Sequence, residues 1–209
     1  MTAREPGRER AEGASEGRGL RIAQRPEADA LLARSPLAAL TGMLLDQQVP
    51  MEWAFTGPHT IATRMGRDDL DAREIAAYDP DAFAALLAAK PAVHRYPASM
   101  AGRVQRLCQH VVDRYAGDAG AVWRGVATGG ELLKRLEALP GYGPQKARIF
   151  LALLGKRLGV RPEGWREAAG PYGDEGVFRS VADITGPEAL ARVRATKQEA
   201  KRAAGERSS

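Results

Sequence analysis

The chain of 209 residues contains a single cysteine, Cys108. An intrachain disulfide is therefore impossible, and so is an iron–sulfur cluster held by four thiolates. The three histidines, His59, His94 and His110, show no metal-ligand spacing, so each reads as a solvated or locally hydrogen-bonded side chain. No metal and no cofactor is expected. No apolar run approaches the ~20 residues that a membrane-spanning helix needs, and no internal repeat is visible. One thiol without a secretory apolar stretch points to a reducing, cytoplasmic setting. Acidic residues are missing altogether between Leu139 and Pro162, where Lys146, Arg148, Lys156, Arg157 and Arg161 all fall.

What is present is a moderate excess of cations. Lys and Arg number 31 against 26 Asp and Glu, for a net charge of +5 and an isoelectric point near 9.6. Such a bias is compatible with a nucleic-acid partner. The length suits one substantial domain, or two small helical lobes that share a cleft. Residues 1–20 hold almost no apolar side chains and read as a disordered tail. Residues 21–203 read as the folded part, and residues 204–209 as a frayed end that begins near Lys197.

The folded part reads as all-α. Helices are predicted over Pro26–Ala33, Pro36–Gln48, Asp69–Ala77, Asp79–Ala88, Ser99–Tyr115 and Pro187–Arg202. Ser35-Pro36 supplies an N-cap followed by proline at the first helical position. Cys108 falls on an apolar helix face and reads as an inert core thiol. Gly159–Pro171 reads as a loop.

The most informative stretch is Leu139-Pro140-Gly141-Tyr142-Gly143-Pro144-Gln145-Lys146-Ala147. Leu132, Leu133, Leu136 and Leu139 recur at helical spacing before it, and Ala147, Phe150, Leu151 and Leu154 do so after it. Pro140 ends the first helix, and Pro144 suits the first turn of the second. Gly141 and Gly143 supply the backbone freedom for a tight reversal. A helix–hairpin–helix over about 131–155 follows. Its second helix points free N–H groups outward, an arrangement that receives a phosphate.

L-P-G-Y-G-P-Q-K-A resembles the hairpin of the helix-hairpin-helix, Gly/Pro-Asp (HhH-GPD) superfamily of DNA glycosylases. That superfamily includes endonuclease III and 3-methyladenine DNA glycosylase II. M-L-L-D-Q-Q-V-P-M resembles its L-x-Q-Q segment, and D-E-G-V-F-R its Asp-x-x-apolar-Phe-Arg segment. The three matches come in the family's order and cover roughly Pro26–Val181. Met100 departs from the pattern, standing where relatives often place a lysine, and Arg161–Pro171 looks inserted.

The resemblance implies a two-lobed helical fold with the hairpin near the cleft. It implies a monomeric base-excision enzyme that acts on double-stranded DNA, close to the nucleoid and without a membrane. Gly141, Tyr142, Gly143, Gln145 and Lys146 would contact the DNA backbone. Gln47 would approach the duplex where the target nucleotide leaves the stack, with Gln48 beside it. Asp174, at the start of a helix, would be the carboxylate facing the sugar, with Glu175 and Asp183 as the other candidates. Bifunctional relatives carry a lysine amine where Gln145 stands. A monofunctional glycosylase is therefore expected, with Lys146 a phosphate contact or solvated charge unless a local shift brings it inward. The alternative is a DNA-binding protein that keeps the fold without catalysis.

Overall fold

The structure, a computed structural model, describes residues 20–206, and of residues 204–206 the backbone alone. The predicted tail lies outside the described residues except for Leu20, which is buried against the core rather than free. Ten helices follow in order: α1 (Pro26–Arg34), α2 (Pro36–Leu45), α3 (Met51–Arg64), α4 (Ala72–Ala77), α5 (Pro80–Ala88), α6 (Pro97–Tyr115), α7 (Gly129–Glu137), α8 (Pro144–Arg157), α9 (Trp165–Ala169) and α10 (Pro187–Glu206). No strand occurs among the described residues, only an isolated bridge between Thr128 and Glu163. The chain is all-α.

α2 is the central helix. Its residues Leu37–Leu45 are all buried, as an evenly apolar sequence requires. Ser35 caps it, its Oγ accepting from the Ala38 N–H at 3.2 Å. The helix stops at Leu45, three residues short of the predicted end. Gln48 takes a left-handed φ of +57°, and Val49 precedes Pro50, a position biased away from helix. α1, α3 and α6 pack around α2. On α6, Met100, Val104, Leu107, Cys108 and Val111 are buried. Burial pushes the Cys108 thiol up to about 12, so it is unreactive. No single helix among the described residues is long and apolar enough to cross a membrane.

α7 and α8 form the hairpin. Thr128 caps α7 through the Glu131 N–H. Leu139-Pro140-Gly141-Tyr142 closes a turn in which the Tyr142 N–H donates to the Leu139 carbonyl at 3.0 Å. Proline at the second place and a glycine with φ of +83° at the third follow the type II pattern. A Cβ on Gly141 would lie 2.4 Å from Leu44 Cδ1. Gly143 is different. Its φ of −77° and ψ of 172° are open to any residue, and nothing lies within 4 Å of a Cβ there. The reversal therefore needs one glycine, Gly141. Gly141→Ala is expected to cost about 1–3 kcal/mol, from an unfavourable φ and a close approach. Gly143→Ala should fall within about 0.5 kcal/mol of wild type. Urea midpoints of the two variants check this.

Of the predicted loop Gly159–Pro171, Gly159–Gly164 runs without helix as expected, whereas Trp165–Ala169 forms α9 and Gly170–Tyr172 a 3-10 turn. Trp165 opens α9 and lays its ring over Gly155 of α8, where a Cβ would sit 2.4 Å from the ring. The Gly129 N–H donates to the Glu163 carbonyl at 2.7 Å, and the Glu163 N–H to that of Ala127 at 3.0 Å. This stretch thus clamps the start of α7 against α8. α10 also exceeds its predicted length. It continues as helix to Glu206, so the frayed end predicted from Lys197 is corrected for all residues described.

Candidate functional site

A cavity of about 780 Å³ opens between the end of α2, the start of α3, the first turns of α8 and one face of α10. Asp46, Gln48, Gln145, Lys146, Tyr172 and Lys197 line it, with Arg179 and Arg194 completing a cationic wall. The hairpin stands at its edge. The N–H groups of Gly143, Gln145 and Lys146 find no acceptor among the described residues, as expected at the first turn of a helix.

Two hairpin side chains expected on the DNA face inward. Tyr142 is buried, and its hydroxyl donates to the Leu40 carbonyl at 2.7 Å. Lys146 Nζ donates to the carbonyls of Met43 at 2.5 Å, Asp46 at 3.3 Å and Leu44 at 3.4 Å. Those oxygens have no intrahelical donor at the C-terminus of α2, and a cation satisfies them. Lys146 is therefore neither a solvated charge nor placed as a phosphate contact. It bolts the hairpin to α2. Burial lowers its ammonium to about 8, with Asp46 acting against the shift and Arg103 and Lys197 adding to it.

Gln145 keeps an exposed place on the cavity wall and donates from Nε2 to the Tyr172 hydroxyl at 2.9 Å. Gln47 is committed internally. Its Nε2 donates to the Leu44 carbonyl at 2.7 Å, and its Oε1 accepts from Arg103 at 2.7 Å. Its own carbonyl lies 2.9 Å from His94 Nε2. His94 Nδ1 accepts from the Tyr96 N–H at 3.0 Å, which assigns the proton to Nε2 and makes that nitrogen the donor. His94 is thus a buried structural link, not a solvated histidine. Gln48, not Gln47, is the exposed glutamine at the cavity, and it holds a left-handed φ of the kind that clusters at binding sites.

The carboxylates fall into distinct environments. Asp174 is exposed, begins no helix and caps none, contrary to the expected N-cap. Its carboxylate pairs with Arg179 at 3.3 Å, so it reaches the cavity only through that guanidinium. Glu175 is exposed and pairs with Arg166. Asp183 is buried against Lys156 at 2.6 Å. Its Oδ2 accepts from the Arg179 and Ser180 N–H groups at 2.9 and 3.0 Å. That work is structural, and it also withdraws Lys156 from the expected cationic surface.

Asp46 is the residue that sequence reasoning missed. It lines the cavity, and its carboxylate accepts no hydrogen bond and has no cation within ion-pair distance among the described residues. Burial raises its carboxyl above the usual range, while Lys197 and Lys146 act against the shift and Glu52 adds to it. The available signal was an acid closing an otherwise apolar helix, a position the helix dipole disfavours.

Comparison with known families found no matching family model, and comparison with curated proteins found no match.

Proposed function

We propose that this chain is a monofunctional DNA glycosylase of the HhH-GPD type, which hydrolyses the bond between a damaged base and its sugar in double-stranded DNA. The observation that carries the reading is adjacency. Unpaired N–H groups at the start of α8 stand at the edge of an open cavity of about 780 Å³ with four cations in its lining. A duplex docked by its phosphates on the hairpin would present a flipped nucleotide to that cavity. A DNA-binding protein without catalysis would need the hairpin but not the open cavity beside it.

The cations divide the labour. Lys197, Arg179 and Arg194 line the cavity where phosphates beside the flipped nucleotide would lie. Lys146 is turned to the α2 carbonyls, so its amine is engaged rather than presented to a sugar. Gln145 has no amine. With no poised nucleophile in the cavity, water is the attacking group, and the product is an abasic site in an intact strand.

Incubation with a panel of duplexes carrying alkylated, deaminated and oxidised bases tests this. The expected result is base release from at least one duplex, strand breaks only after hot alkali, and no covalent complex trapped by borohydride. Release from none would defeat the enzymatic reading. A borohydride-trapped complex that Lys146→Met abolishes would convert it to a lyase.

A further inference from the structure

We infer that Asp46 is the carboxylate of this cavity that stabilises the sugar cation and takes the proton of the attacking water. The inference rests on the glycosylase reading and assigns its chemistry to a residue outside all three sequence matches' expected roles.

The backbone of Asp46 is fixed on both sides. Its N–H donates to the Gly42 carbonyl at 3.1 Å, and its carbonyl receives Lys146 Nζ at 3.3 Å. The side chain is left to form part of the cavity wall. The nearby carboxylates are engaged: Asp174 by Arg179, Asp183 by Lys156 and two N–H groups, Glu175 by Arg166, and Glu52 through Oε1 by Arg194, its Oε2 being buried without a partner and away from the cavity lining. The Asp46 carboxylate alone among these has no hydrogen bond or ion pair at either oxygen to the described residues. Its charge eases the burial of Lys146, but desolvation of the carboxyl is the larger effect. An acid at a helix C-terminus opposes the helix dipole, and partial burial without a partner adds a desolvation cost. Groups that work against stability in this way mark functional sites.

The charges around it suit the reaction. Lys146 from α8 and Lys197 from α10 favour the ionised form, Glu52 from α3 opposes it, and Arg179 and Arg194 share the cavity. A carboxylate short of solvent stabilises a developing oxocarbenium ion more strongly than one in bulk water. In the balanced step, the C1′–N bond breaks with its electron pair passing to the base. The water oxygen bonds to C1′, one water proton passes to Asp46, and the departing base takes up a proton from solvent. Asp46 then returns its proton to water.

The test compares wild type, Asp46→Asn and Asp174→Asn in single-turnover base release on a duplex that wild type processes. Asp46→Asn should lower release by a factor on the order of a hundred or more while raising the melting temperature by a few degrees. A second readout is binding to duplexes carrying a neutral tetrahydrofuran or a cationic pyrrolidine in place of the nucleotide. Wild type should prefer the cationic site. Asp46→Asn should bind the neutral one equally well and lose the preference. Near-wild-type release by Asp46→Asn, or a large loss confined to Asp174→Asn, overturns the assignment and leaves the glycosylase reading intact. Failure of wild type to release any base defeats both.

Discussion

Lys146→Ala is expected to destabilise the protein by about 2–4 kcal/mol rather than simply to weaken DNA binding. Removing the ammonium leaves the Met43 and Asp46 carbonyls without a donor, while Leu44 keeps Gln47 Nε2, and each uncompensated polar group costs about 1–3 kcal/mol. The hairpin then stays tied to α2 mainly through the Tyr142 hydroxyl and the close seat of Gly141 on Leu44. The salt dependence of DNA binding should keep its slope, because the amine points into the protein. A phosphate contact would instead lose about one unit of slope. The pH dependence carries a sign. Lys146 titrates near 8 in the folded chain and near 10.5 when unfolded. Between those values the unfolded chain binds the proton that the native state has shed, so stability rises with pH. Below about 8 both states are protonated and the contribution is flat at its least favourable level. Denaturant melts of wild type and Lys146→Met at pH 7 and pH 10 should therefore shift in favour of wild type at the higher pH. Equal changes in wild type and variant would instead place the amine in solvent.

Much of the scaffold is legible in local sequence because local chemistry decides it. Ser35-Pro36 and Asp79-Pro80 start helices where they stand, their side chains accepting from Ala38 and Ala82. Leu139-Pro140-Gly141-Tyr142 makes the turn its residues prefer. What could not be read depends on contacts between residues far apart in the chain. Position along a helix separates Lys146 from Gln145 by ~100°, yet both line the cavity, because the end of α2 and Asp46 just after it offer three carbonyls to a side chain that leans back toward them. Asp183 looks like a reactive carboxylate until Lys156 and the Arg179 and Ser180 N–H groups are seen to use it. Asp174 follows a family-like pattern, but the chain around it runs in bends and starts no helix. Trp165 sits in a stretch punctuated by Gly164 and Gly170, and only the bare surface of Gly155 explains why a helix forms there. The charged end of α10 looks frayed by composition. In three dimensions Arg194 pairs with Glu52, and Lys197 Nζ lies 3.2 Å from Met51 Sδ. Those contacts turn its side chains into one wall of the site.

That wall allows the cavity to be closed without touching the hairpin. Thr196 lines the opening from α10 and is half-buried, so tryptophan at this position would occupy the cavity proposed to take a base while the α8 N-terminus stays as it is. Docking on the backbone should survive, since its N–H donors are unchanged. Base release should fall by on the order of a thousandfold or to background, because a nucleotide that cannot enter loses all the advantage of position. The decisive measurement is single-turnover base release by Thr196→Trp beside wild type, with duplex affinity measured on the same samples. Retained affinity with release abolished is the expected result. Release at the wild-type rate from the filled variant would show that the chemistry takes place elsewhere.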